Sequence, residues 1–197
     1  MSENNYLMPA SSAPVIPHLG VLFIDLQPPF LQMFDGGESV LQRCRFAYKV
    51  AHAFGLPVLF TEQNPQKLGS TDQRLLDEAG AGDCTRIAKQ SFSAFQAEEV
   101  HAWIAANEIS HLLLAGLETH ICMYLTALDA TETETEVTLL SDCIGGRMPQ
   151  QDTVIFTALM KAGVHILPSE TVFYSLLGSA DHPQFRTLGK LVREAQP

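Results

Sequence analysis

Cys122 lies at the end of His111-Leu112-Leu113-Leu114-Ala115-Gly116-Leu117-Glu118-Thr119-His120-Ile121-Cys122, where an apolar run gives way to glycine, polar residues and then helical spacing. A cysteine aimed out of a strand-to-helix turn is a candidate nucleophile. An ordinary thiol, with a pKa of about 8.5, is only about 3% thiolate at pH 7, and lowering it by about two units makes the anion the main form. Thr119 reads as an N-cap, which puts Cys122 at the third helical position, facing unpaired N–H groups and the positive end of the helix dipole. That end supplies about 0.3–1 kcal/mol, less than one pKa unit. A lysine about 4 Å away is the stronger effect, roughly 4 kcal/mol at an effective dielectric near 20 before desolvation. Lys89 is the candidate cation, and Asp25 the candidate base that takes the thiol proton and later returns it or activates water. Without the lysine, Asp25 would raise the thiol pKa by like-charge repulsion, so the three residues act only as a set.

The elements that must position this trio alternate. Leu19 to Ile24 is a buried-strand run ending at Asp25, and Pro28-Pro29 then forces a loop. Val40, Leu41, Cys44, Ala47, Tyr48 and Ala51 have helical period, with Gly55 as the stop. Pro57 to Thr61 is a second strand, followed by a long polar loop from Glu62 to Ala81. Cys84 to Ala88 is a short strand presenting Lys89, and Ala97 to Ala106 a helix. After the Cys122 stretch come a strand at Val137 to Leu140, a helix at Thr153 to Ala162, a strand at Gly163 to Leu167, and helices at Glu170 to Leu177 and Pro183 to Val192. Such alternation gives a parallel sheet with right-handed crossovers and helices on both faces. Ligands of such sheets bind beyond the carboxyl ends of the strands. Asp25, Lys89 and Cys122 each follow a strand end, so one rim collects all three.

The length of 197 residues fits one domain, with a loose Pro-rich arm over residues 1–17 and the folded unit over 18–197. Acidic side chains outnumber basic ones, 22 to 12, and the net charge of −10 disfavours nucleic-acid and anionic-membrane partners. No apolar run approaches the roughly 20 residues that span a bilayer, and no signal or transit pattern opens the chain, so the cytoplasm is the expected compartment. Cys44, Cys84, Cys122 and Cys143 are scattered, which suits free thiols rather than disulfides or a zinc site.

Asp25-Leu26-Gln27-Pro28-Pro29-Phe30 resembles the D-x-Q-x-x-F opening of the isochorismatase-like cysteine hydrolases. Lys89-Gln90-Ser91-Phe92-Ser93-Ala94-Phe95 resembles their lysine motif, and Gly116-Leu117-Glu118-Thr119-His120-Ile121-Cys122 is similar to their G-x-x-T-x-x-C nucleophile turn. The stretch Thr61 to Gly69 and the tail His182-Pro183-Gln184-Phe185 look like the branch of isochorismatase-domain proteins without a defined substrate. The resemblance runs from about residue 19 to the end. It implies a three-layer α/β/α fold with a six-stranded parallel sheet of order 3-2-1-4-5-6, and Asp25, Lys89 and Cys122 as a catalytic triad. It further implies a non-proline cis peptide at Leu117–Glu118, which turns the Glu118 amide toward the same point as the Cys122 amide to form an oxyanion hole.

Nicotinamidases of this family bind a metal through D-x-H and further histidines after the second strand. This chain has Thr61-Glu62-Gln63-Asn64 there and no histidine between His52 and His101, so no metal or cofactor is expected. Gln27, Phe30, Gln63, Phe92, Thr119 and Tyr124 are the expected walls of a substrate pocket. Glu62 is expected in solvent and His120 on the surface at a helix start. Asp142 is expected to organise a loop, and Thr131 to Glu136 to be a solvated turn.

The expected activity is metal-independent hydrolysis of a small amide, imide or related C–N carbonyl compound through a cysteine thioester, in a homo-oligomer (dimer or tetramer). Vinyl-ether hydrolysis of an isochorismate-like substrate and a non-catalytic binding or scaffold role are the alternatives.

Overall fold

The computed structural model describes residues 16–79 and 84–195. Of the expected N-terminal arm, all but Ile16 and Pro17 lies outside the described residues, as does the end of the expected Glu62–Ala81 loop. Six strands form one sheet of order β3-β2-β1-β4-β5-β6, every neighbouring pair parallel. They are β1 (Leu19–Ile24), β2 (Val58–Gln63), β3 (Thr85–Lys89), β4 (His111–Leu117), β5 (Glu136–Gly145) and β6 (His165–Leu167).

Side chains of β1 alternate between two apolar layers, because successive Cβ atoms of a strand point to opposite faces. Val21 and Phe23 pack with α2 (Gly37–Ala53), α8 (Ser169–Leu177) and α9 (Phe185–Glu194). Leu22 and Ile24 pack with α5 (Glu98–Ala106), α6 (Tyr124–Ala130) and α7 (Asp152–Lys161). A strand buried on both faces needs an unbroken apolar run, which is why Leu19 to Ile24 shows no polar alternation.

Three expectations about local structure are corrected. Pro28-Pro29 starts a short helix, α1 (Pro28–Leu31), with proline in its first turn, where the missing N–H has no intrahelical partner to lose. The long polar connection holds two helices, α3 (Pro65–Leu68) and α4 (Gln73–Ala79). They are too short for periodicity to reveal, and α4 is fixed through Leu75, which is fully buried. Strand β5 runs on through Ser141 and Asp142 after a register shift against β4 between Leu114 and Gly116. Asp142 accepts hydrogen bonds from the Ser169 backbone N–H at 2.7 Å and from Arg43 Nε at 2.8 Å, tying the start of α8 to α2.

The strand order reverses between β1 and β4, and these two strands approach closely where the site forms. Gly116 has φ +131°, and a Cβ there would stand 2.1 Å from the Ile24 carbonyl oxygen. Gly116→Ala is therefore expected to lower stability by about 3 kcal/mol or more, combining a disfavoured backbone region with overpacking. A urea unfolding midpoint equal to that of the parent protein would contradict this close approach.

Candidate active site

Asp25 follows β1 in the left-handed region, φ +54°, and its N–H donates to the Thr61 carbonyl at 3.0 Å. That turn directs its carboxylate over the sheet rim, where Thr61 Oγ1 donates to Oδ1 at 3.2 Å. Lys89 ends β3, two strands away from β1, and its long side chain crosses the end of β2. Its Nζ donates to Asp25 Oδ2 at 2.7 Å and to Gln63 Oε1 at 2.8 Å, and it lies 3.8 Å from Cys122 Sγ. The Ser91 and Phe92 carbonyls also accept from Nζ, at 3.2 and 3.1 Å. Asp25, Lys89 and Cys122 are 1%, 2% and 6% exposed, so the three meet almost out of water.

Beyond β4 the Leu117–Glu118 peptide bond is cis. The next residues, Thr119–Met123, form a single π-helical turn that runs into α6. Wide turns of this kind occur often at functional sites. Glu118, not Thr119, holds the N-cap position, and no side chain caps the turn. The backbone N–H of Glu118 donates to the Cys122 sulfur instead. Two amide-bearing residues, Glu118 and Cys122, thus bracket the thiol.

The expected thiolate is corrected. Burial pushes the Cys122 thiol up to about 12, and the Asp25 carboxylate adds to the rise, against smaller lowering effects of Lys89 and the Glu118 N–H. Asp25 is also raised from its ordinary value, by burial first, with its ion pair to Lys89 opposing. On sequence alone Lys89 is the cation for the sulfur. In the fold its charge is committed to Asp25, so the sulfur faces a nearly neutral pair and desolvation decides. The resting group is a thiol hydrogen-bonded to a carboxylate, an arrangement in which the proton leaves as the sulfur attacks.

A cavity of about 160 Å³ opens onto Cys122. Asp25, Phe30, Gln63 and Phe92 line it, with Met33, Leu117, Glu118, Ile121 and Arg147. Of the expected walls, Gln27, Thr119 and Tyr124 do not reach it. Gln27 is fully buried and acts as a clamp: its Oε1 accepts from the Gln63 N–H at 2.8 Å, and its Nε2 donates to the Gln63 and Gly69 carbonyls. Thr119 is fully buried, and Tyr124 is partly buried against the apolar layer that holds α5, α6 and α7.

Glu62 is corrected as well. It is buried and accepts from the Thr71 N–H and hydroxyl at 2.9 and 3.0 Å, so it closes the loop rather than meeting solvent. His120 is mostly enclosed, with Nε2 3.7 Å from Glu118 Oε2. Arg147 is a functional-site residue that the sequence reading missed. It forms a two-pronged ion pair with Glu118, Nε to Oε1 at 2.6 Å and Nη2 to Oε2 at 3.1 Å. Nothing in the local sequence pairs positions 29 apart. Among the described residues no cluster of three His, Cys, Asp or Glu side chains could hold a metal ion, and no helix is long and apolar enough to cross a membrane.

Comparison with known proteins places these features in context. An isochorismatase domain model matches residues 20–171. Isochorismatase domain-containing protein 2 of Bos taurus is 32% identical over 184 residues, covering 93% of this chain and 87% of its own. Among solved structures, the MAR1 ribonuclease of Caenorhabditis elegans is 25% identical with TM-score 0.83, covering 93% of this chain and 94% of that one. The YcaC gene product of Escherichia coli, described as an octameric hydrolase of unknown specificity, shares the fold at 18% identity and TM-score 0.71, over 94% of this chain and 100% of that one.

Proposed function

The chain belongs to the isochorismatase family, and we propose that it is a metal-independent cysteine hydrolase that cleaves a small amide, imide or related C–N carbonyl compound through a thioester on Cys122. The observation that carries this reading is the convergence of a buried carboxylate–lysine pair on one thiol that lines a small cavity. In this reading Cys122 Sγ attacks the carbonyl carbon while its proton passes to Asp25. The carbonyl π pair moves to oxygen, held by the backbone N–H groups of Glu118 and Cys122. When the tetrahedral adduct collapses, the C–N bond breaks and the leaving nitrogen takes the proton from Asp25. A water then adds to the thioester, giving a proton to Asp25, and the sulfur leaves as the acid forms and regains that proton. Lys89 holds the Asp25 carboxylate in place through each transfer, acting on the chemistry through its partner.

The reading includes self-association, supported by the exposed apolar side chains Val154, Met160, Tyr174 and Phe185 on α7, α8 and α9. A net charge of −10 gives phosphates little to bind. Mixing the protein with excess p-nitroacetanilide, quenching in acid and weighing the peptides tests the covalent step: an acetyl mass on the peptide holding Cys122 is expected, and none in Cys122→Ala. Anilide cleavage that persists in Cys122→Ala, or proceeds with no such adduct under rapid quenching, overturns the thioester.

A further inference from the structure

We propose that the Glu118–Arg147 ion pair makes the Cys122 cavity select uncharged carbonyl compounds that carry one apolar group no larger than a single ring. The turnover arm of this inference rests on the hydrolase reading. The binding arm does not.

Four charged side chains line the cavity: Asp25, Glu118 and Arg147 on its wall, and Lys89 against Asp25 beneath it. They cancel in pairs. Asp25 takes Lys89 at 2.7 Å, and both oxygens of Glu118 are taken by Arg147. His120 is the other titratable group against Glu118, 3.7 Å from the same carboxylate. Gln63 has one N–H and one lone pair left for a neutral ligand, since Oε1 accepts from Lys89 and Nε2 donates to the Gln90 carbonyl.

What is left to meet the body of a ligand is Phe30, Met33, Phe92, Leu117 and Ile121. An anionic ligand would have to draw Arg147 away and strand a carboxylate that is only 5% exposed. A cationic one would compete with Arg147 for the same oxygens. The first leaves a carboxylate unpaired and out of water, which is strongly unfavourable, and the second must displace the two-pronged bond of a guanidinium that is itself 48% exposed. The cavity volume of about 160 Å³ limits size, since an apolar cavity of about 150 Å³ accepts benzene.

Three amides of matched length separate the charge states: butyramide, succinamate with a terminal carboxylate, and 4-aminobutyramide with a terminal ammonium. Benzamide and 1-naphthamide bracket the size. Two readouts run in parallel: ammonia release, and protection of the Cys122 peptide from slow carbamidomethylation at pH 9, read by mass spectrometry. Butyramide and benzamide are expected to exceed succinamate by about 100-fold or more in each readout, the scale set by stranding the Glu118 carboxylate, and 4-aminobutyramide and 1-naphthamide by about tenfold or more, for displacing Arg147 and for size.

Glu118→Gln leaves Arg147 unpaired and keeps the backbone amide. The ratio of succinamate to butyramide should then rise about tenfold or more, as expected for a newly available charged partner. Arg147→Met, which frees the carboxylate instead, should move the ratio toward 4-aminobutyramide. Parent protein that takes succinamate as readily as butyramide overturns the proposal, as do variants that leave both ratios unmoved or the absence of protection by any uncharged amide at 100 mM. If no amide is hydrolysed but butyramide and benzamide alone protect Cys122, the hydrolase reading fails and the selectivity stands.

Discussion

Lys89→Met is expected to cost about 3–5 kcal/mol of stability, because it leaves the Asp25 carboxylate buried without its counter-charge. Asp25→Asn should cost a similar amount from the other side. Against a usual total of about 5–15 kcal/mol, either change approaches the whole margin of the weaker folds. The double variant Asp25→Asn with Lys89→Met removes both charges together. Replacing a buried pair by neutral groups is often without net cost, so most of the stability should return. Hydrolysis should not return, because Cys122 then has no base to take its proton. Urea midpoints and turnover measured on the same preparations check this separation. Single variants that unfold at the parent midpoint would remove the buried pair from the argument, and a double variant with full turnover would remove Asp25 from the chemistry.

The second large effect concerns the resting state of Cys122. With its pKa pushed up to about 12 by burial and by Asp25, its thiolate fraction at pH 8 is on the order of 10³ below that of an ordinary thiol. A more basic thiolate is also a better nucleophile, with a sensitivity of about 0.4–0.5 per pKa unit, which returns part of the loss. The net expectation is carbamidomethylation about a hundredfold slower than a cysteine peptide at pH 8.

The sign of the pH dependence follows from the direction of the shift. A raised thiol pKa means the anion is still the minor form at pH 9, so the rate should keep climbing about tenfold per pH unit where an unperturbed thiol levels off. Mass spectrometry on the Cys122 peptide resolves it from Cys84, the partly exposed thiol, and from the buried Cys44 and Cys143. A rate that is fast and flat below pH 7 would mean a preformed thiolate, and Lys89 would then serve the sulfur rather than the carboxylate.

These two expectations share a cause that bears on how the protein turns over. Desolvation around the trio is strong enough that the charges present are held in a pair and the sulfur is kept neutral. Glu118 and Arg147 repeat the same arrangement at the cavity wall. A site with no net charge at rest has little attraction for abundant anions, and in the proposed hydrolysis discrimination would depend on fit and on the oxyanion that forms.

Much of this was written locally in the chain. The run Leu19 to Ile24 and the run His111 to Leu117 announce central strands because both faces of such strands are buried, and Asp25, Lys89 and Cys122 fall at strand ends whatever the packing. The alternation of strands and helices announces a parallel sheet with right-handed crossovers, while the strand order observed was implied by the family resemblance. The fold could not disclose from sequence which charges would pair. Lys89 and Asp25 are 64 positions apart, and Arg147 and Glu118 are 29 apart. The helices α3 and α4 were hidden for the related reason that short segments are held by tertiary contacts such as Leu75 rather than by periodicity. The ionisation of Cys122 was decided last of all, because desolvation is a property of everything packed around an atom and has no local pattern to read.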